Sequence, residues 1–368
     1  MSSYIFYGSK EEFEKRIPQS YRTLTDLVME LDVNKMLVQI EGQEHKEKPV
    51  VRVKVENFVA GSQEYAGVRE HVILNFVNFL AKMDVQNIYL HNPPLQISEQ
   101  IKRLYTDVKV ESQKYKTVSE DTINIINVQY NNIVVGQNNV KIQLMKALLP
   151  LTFSDREKPV VMLFYGSSGV GKTETANFIS ACLEERIFRK QFSMFQNNQF
   201  STYLFGGAHY EKSFAKDLLD RESNVILLDE FDKANPVFHS GFYQLFDEGL
   251  FEDQNYTVQL NKSVIICTSN YKDISEIRRE LGDAIFNRFD VIIGFDELSN
   301  EAKLSIANKF IVDLQAQYHQ HKKMDMPEQN VENLRKFVIK CRNAREIRHL
   351  VDDTFALSYI QQICCNNN

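Results

Sequence analysis

The stretch GSSGVGKT at residues 166–173 matches the pattern G-x-x-x-x-G-K-[ST]. An apolar run, VVMLFY at 160–165, precedes it, and TETANFISACLEE at 173–185 follows with the spacing of a helix. Glycines between a buried strand and a helix let the backbone curl until its N–H groups surround phosphate oxygens. The stretch therefore predicts a phosphate-binding loop. A plain glycine turn is the alternative, and the lysine and threonine that end the pattern disfavour it.

Each position of this loop has an expected task. The Lys172 ammonium would neutralise the β- and γ-phosphates, and the Thr173 hydroxyl would bind Mg²⁺. The cofactors that the loop predicts are thus ATP and Mg²⁺. The predicted nucleotide-binding residues of the loop are Gly166, Ser167, Ser168, Gly169, Val170, Gly171, Lys172 and Thr173.

A second apolar run supplies two carboxylates. NVILLDE at 224–230 ends in Asp229 and Glu230. In open α/β sheets, ligands bind outside the carboxyl ends of the strands, where these side chains would emerge. We expect Asp229 to bind nucleotide and to hold the metal together with Thr173, and Glu230 to polarise the attacking water. An apolar run that ends in acids is weak evidence alone, because many strands end so, but it is strong beside the glycine loop.

The other apolar runs indicate the fold class. SVIICTS at 263–269 and VIIGF at 291–295 are near-continuous, like the two runs above, and helical segments separate them. Such strands belong to a parallel sheet that helices cover on both faces, which is an α/β fold. The predicted domains are an N-terminal α/β domain at 1–110, a polar linker at 111–125, a large P-loop domain at 126–296 and a small helical domain at 297–368.

Composition and charge disfavour several classes of protein. The chain has 368 residues and a net charge of −6, and its apolar runs fall short of the roughly 20 residues that cross a bilayer. Nucleic-acid binders usually carry a basic surface, so a nucleic-acid partner is unlikely on these grounds. Five scattered cysteines without CxxC spacing argue against a disulfide framework or a zinc ribbon. We expect a cytoplasmic protein without a membrane partner.

From about residue 133 to 360, a series of ordered motifs resembles the Clp-type AAA+ ATPases. IVVGQNNVKIQLMKAL at 133–148 is similar to that family's segment around the adenine pocket. DKANPVFHSGFYQLFDEGLFED at 232–253 resembles the segment that follows its second carboxylate motif. Several motifs in family order are more specific than a single loop signature.

The resemblance implies three more site residues. Asn270, at the end of SVIICTSN, matches the residue that senses the γ-phosphate and helps to aim the water. Arg288 in IFNRFD matches the arginine finger that reaches the neighbouring subunit's site, and Arg345 in NAREIRH matches a second sensor arginine that binds nucleotide. Taken alone, Asn270 could cap a helix and each arginine could pair with a nearby acid. Their order after a P-loop favours the family roles.

The resemblance also implies assembly and function. An arginine that crosses an interface makes hydrolysis depend on a homo-oligomeric ring, which in this family is a hexamer. The leading hypothesis is an ATPase of the chaperone type that remodels or unfolds protein clients, with the 1–110 domain binding clients or an adaptor. The alternative is an ATP-driven oligomeric switch or scaffold that signals through a bound partner. A nucleic-acid motor or loader shares the same core and is the third possibility.

The stretch STYLFGGAHYEKSF at 201–214 lies where this family has its channel loop, which grips an extended polypeptide. Tyr203 and Phe205 would be the gripping rings, since aromatic rings offer apolar area without requiring a particular sequence. On a second alignment the channel motif is deleted, as in torsin-like relatives, and the two rings pack under the sheet. The sequence leaves both interpretations open.

Two features depart from the family pattern. IGF at 293–295 resembles a tripeptide with which some members dock a protease partner. It follows Arg288 at the end of a predicted strand, so a core strand is the better interpretation, and a Clp peptidase partner is not expected. Gly282 stands where the family has an arginine, which puts the details of signalling between subunits in question.

Overall fold

A computed structural model of the chain describes residues 2–36, 52–194, 199–322 and 324–366. The chain folds into two compact units. The first, which we call the amino-terminal unit, comprises Met1–Lys116, Phe195–Asn224 and Ser240–Asn261. The second, which we call the P-loop unit, comprises Thr117–Met194, Val225–His239 and Lys262–Asn368.

Strands and helices alternate along the chain. Its first part contains β1 (Ser2–Tyr7), α1 (Lys10–Glu14), β2 (Arg22–Thr23), α2 (Leu24–Met36), β3 (Val53–Ala60), α3 (Glu70–Leu74), α4 (Phe76–Leu80), β4 (Met83–His91), α5 (Leu95–Leu104) and β5 (Val108–Ser112). The middle part contains α6 (Glu120–Ile133), α7 (Asn138–Leu148), β6 (Val160–Tyr165), α8 (Lys172–Cys182), β7 (Phe188–Gln191), α9 (Gln199–Phe205), α10 (Phe214–Leu219), β8 (Val225–Asp229), α11 (Tyr243–Glu248), β9 (Leu250–Glu252) and β10 (Thr257–Gln259). The last part contains β11 (Val264–Thr268), α12 (Ile274–Leu281), α13 (Asp283–Phe286), β12 (Val291–Gly294), α14 (Asn300–Lys322), α15 (Glu328–Val338) and α16 (Ala344–Asn366).

Five parallel strands form the main sheet of the amino-terminal unit, in the order β2-β3-β4-β1-β5. Parallel neighbours need crossover connections, and helices α1 to α5 lie in those connections. Ile5, Phe58, Ile88 and Leu90 are buried in its core. Removal of such large apolar side chains from water is the main force that holds the sheet and its helices together.

Two segments from the middle of the chain complete the amino-terminal unit. One carries α9 and α10, and the other carries α11 and the antiparallel hairpin of β9 and β10. The Leu95 N–H donates to the Asn255 carbonyl at 2.8 Å. His209 is buried, and its Nε2 lies 2.9 Å from the Val68 carbonyl oxygen. Direct hydrogen bonds thus join both segments to the first hundred residues of the chain.

A buried polar network lies at the carboxyl ends of β3 and β4. The Asn92 amide donates to Asp220 Oδ1 at 2.6 Å and to the Gly8 carbonyl at 2.8 Å. His91 Nε2 lies 2.7 Å from the same carbonyl, and the Ser62 N–H donates to His91 Nδ1 at 3.4 Å. These partners fit a neutral imidazole that carries its proton on Nε2. Burial lowers the pKa of His91 to about 4 and raises the pKa of Asp220 to about 6.

The two shifted pKa values give stability opposite dependences on pH. Folded Asp220 holds its proton more tightly than the unfolded chain does, so its contribution to the free energy of unfolding falls as pH rises from about 4 to about 6. Folded His91 holds its proton less tightly, so its contribution is lost as pH falls from about 6.5 to about 4. The two effects oppose each other within one network.

We expect the Asp220→Asn variant to keep an acceptor for Asn92 while it loses the titrating group. The free energy of unfolding of the variant should exceed that of the wild type by an amount that grows between about pH 4 and pH 6. The difference should reach at most about 3 kcal/mol, because one pKa unit corresponds to about 1.4 kcal/mol. Urea unfolding at several pH values, followed by circular dichroism, measures this difference. If the free energies of unfolding of the two proteins differ by the same amount at every pH, the raised pKa of Asp220 is wrong.

Five parallel strands also form the sheet of the P-loop unit, in the order β12-β6-β11-β8-β7. Every residue of β8 and β11 is buried, and so are the first five residues of β6. Strands covered on both faces need continuous apolar runs, which is why VVMLFY, VILLD and VIICT show no alternation. The predicted α/β fold, with a parallel sheet covered by helices, is confirmed.

Helices α14, α15 and α16 form the carboxyl-terminal part of the P-loop unit. They bury a shared apolar cluster that includes Ile311, Leu334, Val338, Ile347 and Phe355. Each helix places an apolar stripe against the others, as expected for a small helical bundle. A helical carboxyl-terminal region was predicted from the sequence, and the structure agrees with it.

Both ends of the polar stretch predicted as a linker lie in regular secondary structure. Within 111–125, the first two residues end β5, and α6 begins at Glu120 with the Ser119 hydroxyl as its N-cap. The division into three domains and a linker stays a prediction. Within the ranges that the structure describes, no helix combines the length and the apolar character needed to span a bilayer.

Candidate functional site: a nucleotide-binding loop and two carboxylates

The glycine loop turns sharply between β6 and α8. Gly166 has a φ of +132° and Gly171 a φ of +111°, values that residues with a side chain rarely adopt. A Cβ atom on Gly166 would lie 2.6 Å from the Phe295 carbonyl oxygen, so a larger residue does not fit. Helix α8 starts directly after the loop, and its first N–H groups have no partner within the helix. The sequence thus builds an anion site at a helix N-terminus.

The Lys172 ammonium lies back against the loop. Its Nζ donates to the carbonyls of Gly166 at 2.6 Å and Ser167 at 2.8 Å, and to Asn270 Oδ1 at 3.2 Å. Lys172 is only 8% exposed, and burial lowers its pKa to about 8. A buried ammonium that is held mainly by neutral oxygens is stabilised when an anion binds beside it.

Asp229 ends β8 and is held from two sides. Its Oδ1 accepts a hydrogen bond from the Thr268 hydroxyl at 2.5 Å, and its Oδ2 accepts one from Arg189 Nε at 3.0 Å. Arg189 Nη2 approaches the same Oδ2 at 2.5 Å from the neighbouring strand β7. These charge-assisted bonds fix the carboxylate at the carboxyl edge of the sheet. Sequence reasoning missed Arg189, because a single basic residue on a short edge strand forms no motif.

Glu230 occupies a strained backbone position directly after β8. Its φ is +56°, which a residue other than glycine adopts only where the surroundings enforce it. Its N–H donates to Thr268 Oγ1 at 2.9 Å, and its Oε2 accepts from Gln191 Nε2 at 3.0 Å. Hydrogen bonds from Ser193 and Gln191 lower the pKa of Glu230, so the carboxylate is ionised at neutral pH. Gln191 and Ser193 were also missed from the sequence.

Gln137 connects the loop to the edge of the sheet. Its side-chain amide donates to the carbonyls of Val170 at 3.1 Å and Asp296 at 2.8 Å. Its Oε1 accepts from the Asp296 N–H at 3.1 Å. Gln137 is buried, so an apolar replacement would leave these backbone groups without partners at a cost of about 1–3 kcal/mol each. The residue lies in the IVVGQ stretch but carries no charge, so the sequence did not single it out.

A cavity of about 280 Å³ adjoins the same loop. Its walls are mainly apolar and combine the segment before α7, the glycine loop and helix α14, and they include Val134, Val135, Gly169, Val170, Leu298, Ile306 and Phe310. An apolar slot of this size beside a phosphate site suits a flat base with its sugar. The segment predicted to surround the adenine contributes Ile133, Val134 and Val135 to this cavity, and its role at the base stays a prediction.

The start of α16 also contacts the glycine loop. Arg345 Nη1 donates to the Ser168 hydroxyl at 3.3 Å, and the Ala344 N–H donates to the Gly169 carbonyl at 3.1 Å. The structure thus brings Arg345 and Asn270 to the loop that holds Lys172. Thr173 lies in the first turn of α8 and is partly exposed.

Arg288 has a different environment. It follows α13, its Nη1 donates to the Ala284 carbonyl in that helix at 2.5 Å, and the residue is partly exposed. Arg288 is therefore not buried within its own protomer. Its role as a finger, like the other site roles assigned from the sequence, stays a prediction.

The stretch 201–214 begins within α9 rather than in a loop. Tyr203 is 7% exposed, its hydroxyl donates to Asp217 at 2.6 Å, and its ring centroid lies 6.0 Å from that of Phe214. Phe205 is 40% exposed. The sequence left two interpretations open, and for Tyr203 the structure supports internal packing.

The IGF tripeptide lies where a core strand was expected. Ile293 is fully buried in β12, and Gly294 pairs with Tyr165 in the parallel register. A Cβ atom on Gly294 would lie 2.7 Å from the Tyr165 hydroxyl. The tripeptide is part of the sheet and not an exposed docking element.

Comparisons with known proteins agree with this geometry. A family model described as AAA domain (Cdc48 subfamily) matches residues 157–336. The ClpA homolog protein of Fuscovulum blasticum is 28% identical over 235 residues, and Chaperone protein ClpB of Mycoplasmoides gallisepticum is 27% identical over 225 residues. Residues 157–336 thus form an AAA domain, and the relatives that the chain matches are of the Clp type. The resemblance drawn from the motifs is thereby confirmed.

The Clp-type matches cover part of each protein. The two relatives align with 55% and 54% of this chain, and the chain spans 30% and 31% of their lengths. A Staphylococcus aureus ATP-dependent Clp protease ATP-binding subunit ClpL is 29% identical over 60% of this chain and 34% of its own length. The chain thus spans about a third of the curated relatives that it matches.

Solved structures show the same fold. The S. cerevisiae Hsp104-ADP complex matches with a TM-score of 0.54 at 19% identity, over 67% of this chain and 49% of that one. A closed-state reconstruction of Hsp104 with ATPγS and FITC casein also has a TM-score of 0.54, at 14% identity, over 99% of this chain and 89% of that one. At such identities the likeness concerns the fold alone.

Proposed function

We propose that this protein binds ATP with Mg²⁺ and hydrolyses ATP in an oligomeric ring in order to remodel or unfold protein clients. The observation that carries the proposal is the buried Lys172 ammonium, which lies between loop carbonyls and the Asn270 side chain at the N-terminus of α8. Among the described residues, the hydrogen-bond acceptors of this ammonium are neutral oxygens, and a triphosphate is the anion that this loop pattern binds.

The residues present fit a magnesium nucleotide. Glycine occurs at loop positions where a Cβ atom would crowd neighbouring residues, and an apolar cavity that would take the base lies beside the loop. Thr173 and Asp229 would hold Mg²⁺, whose charge stabilises the transferring phosphoryl group when it is bound. Arg345, which contacts Ser168, and Lys172, which contacts Gly166 and Ser167, would both supply positive charge to the phosphates.

Glu230 is the residue that we propose as the base for the attacking water. Its carboxylate is ionised, and the strained backbone and the bond from Gln191 hold it at the edge of the sheet. A general base must be fixed within hydrogen-bond reach of the water that it activates. Asn270, which already contacts Lys172, would position that water relative to the phosphate.

The first test separates binding from hydrolysis. Lys172→Ala should weaken ATP binding at least tenfold, because it removes the cation that compensates the phosphates. Glu230→Gln should bind ATP as the wild type does and should slow its hydrolysis at least 100-fold. Titration with a fluorescent ATP analogue and phosphate release measure the two steps. Hydrolysis by Glu230→Gln at the wild-type rate would contradict the assigned base, and normal binding by Lys172→Ala would contradict the site.

Arg288 is the residue from which we propose that copies of this chain assemble. Its side chain is partly exposed and follows α13 in the P-loop unit. A guanidinium supplied by a neighbouring copy stabilises the charge of the transferring phosphoryl group and can accelerate hydrolysis by ~10³–10⁵. Such a head-to-tail contact closes into a ring when its rotation permits, and we propose a hexamer in line with the Clp-type resemblance.

Mixing two inactive variants tests the shared site. Arg288→Ala alone should bind ATP normally and should hydrolyse it at least 100-fold more slowly than the wild type. Mixed oligomers of Arg288→Ala and Glu230→Gln should regain activity, because some interfaces then combine an intact Glu230 with an intact Arg288. Phosphate release after subunit exchange provides the measurement. If the mixture stays as inactive as either parent, Arg288 does not act across an interface.

The client class is proposed from the family and not from a bound partner. A chaperone-type relative and a casein-bound Hsp104 structure are among the matches, while this chain spans only part of the curated relatives. We propose that the amino-terminal unit selects protein clients or an adaptor. Stimulation of ATP hydrolysis by an unfolded protein such as casein would support this role.

A further inference from the structure

Thr268, the last residue of β11, has a hydroxyl that contacts both proposed hydrolytic carboxylate residues. Its Oγ1 donates to Asp229 Oδ1 at 2.5 Å and accepts from the Glu230 N–H at 2.9 Å. The parallel pairing of β11 with β8 brings the hydroxyl there, because Cys267 pairs with Leu228 and the next residues along the two strands are Thr268 and Asp229. A single side chain thus touches two consecutive residues for which we propose different tasks.

Chemistry fixes the direction of both hydrogen bonds. Asp229 is a carboxylate paired with Arg189, and a carboxylate only accepts, whereas a backbone N–H only donates. The one hydroxyl proton of Thr268 therefore points to Asp229, and a lone pair of the same oxygen faces the Glu230 N–H. Thr268 is 2% exposed and Asp229 is 6% exposed, so solvent is poorly placed to substitute for the hydroxyl.

The acceptor sites of Asp229 are mostly occupied by protein donors. A carboxylate offers about four lone-pair sites on its two oxygens. Arg189 Nε and Nη2 both approach Oδ2, at 3.0 Å and 2.5 Å, and the Thr268 hydroxyl occupies one site on Oδ1. The remaining site of the carboxylate is thus on Oδ1, beside the Thr268 hydroxyl. Thr268 therefore helps to set the direction in which Asp229 would meet a metal ion or its water.

Glu230 needs contacts that hold its backbone as well as its side chain. Its φ of +56° is a strained conformation, which persists only where the surroundings enforce it. The Thr268 hydroxyl binds the backbone N–H of this strained residue, and Gln191 binds the far end of its side chain. Thr268 thus helps to fix where the Glu230 side chain begins, and Gln191 helps to fix where it ends.

We propose that Thr268 is a positioning residue for both halves of the hydrolytic site, which keeps Asp229 directed to the metal and Glu230 directed to the attacking water. The inference rests on the proposed function and deepens it, because Thr268 would act on the reaction only through these two residues. Thr268 lies in the same SVIICTSN stretch as Asn270, whose side chain contacts Lys172 instead.

The two tasks should fail together when the hydroxyl is removed. Loss of a partner that orients a metal ligand typically costs about 10–100-fold in metal affinity or activity. A displacement of about 1 Å at a reacting group can cost about 100-fold in rate. The bonds of Lys172 go to loop carbonyls and to Asn270, so the loop that would hold the phosphates is supported independently of Thr268. Nucleotide binding without metal should therefore survive.

Thr268→Val in the full chain tests the proposal, because valine keeps the branching of threonine and has no hydroxyl. The affinity for a fluorescent ATP analogue is measured with saturating Mg²⁺ and with EDTA. The ratio of these two affinities should fall at least threefold in the variant, while the affinity in EDTA stays within twofold of the wild type. Phosphate release at saturating ATP and Mg²⁺ should fall at least tenfold. Thr268→Ser keeps the hydroxyl and should restore both quantities.

Ser180→Ala is the matched control. It also removes a buried hydroxyl of the P-loop unit, one that donates to the Glu185 carbonyl at 2.7 Å, and it should leave the affinity ratio and the rate unchanged. Circular dichroism and urea unfolding establish which variants are folded, and Thr268→Ala replaces Thr268→Val if the latter does not fold.

The outcomes separate this inference from the proposed function. A wild-type protein that does not bind the analogue, or whose affinity ratio is one, would contradict the proposed function. If the wild type binds ATP with Mg²⁺ and hydrolyses it, a folded variant without the Thr268 hydroxyl that retains either the wild-type ratio or the wild-type rate would overturn the role of Thr268 alone. Equal losses in Thr268→Ser would overturn it as well, since the hydroxyl is then not the group that matters.

Discussion

The interaction on which the site depends is the burial of the Lys172 ammonium among the carbonyls of its own loop. Positive φ angles at Gly166 and Gly171 create the turn that receives the ammonium. Among the described residues, Asn270 is the only one whose side chain accepts a hydrogen bond from Lys172 Nζ. Burial lowers the pKa of Lys172 to about 8, which shows that the folded chain leaves this charge incompletely compensated. The P-loop unit is thus built around a cation that an anionic ligand would stabilise.

The surrounding residues keep this arrangement rigid. Gln137 fixes the loop to the edge of the sheet, and Thr268 contacts both Asp229 and the backbone of Glu230. Such fully bonded polar groups specify one geometry in a region where a missing partner would be costly. Hydrogen bonds within the protein therefore hold the phosphate loop and the carboxylates in place, and such preorganisation is the condition for electrostatic catalysis.

Sequence reasoning found those features that depend on local pattern. Continuous apolar runs predicted the parallel strands, and the glycine loop with its lysine predicted the anion site, because both follow from neighbouring residues alone. Arg189 and Gln191 were missed, since their partners lie about 40 residues away and only strand pairing brings them together. The burial of Tyr203 likewise depends on long-range packing that spacing along the chain does not encode.

A titration of Lys172 tests the central claim most directly. Selective labelling of lysine and NMR detection of the Lys172 side chain should give a pKa near 8 in the nucleotide-free protein, as burial dictates. Binding of ATP with Mg²⁺ to the Glu230→Gln protein should raise it to the ordinary lysine value of about 10.5 or above. A pKa near the ordinary value before nucleotide is added, or one that ATP leaves unchanged, would contradict the account.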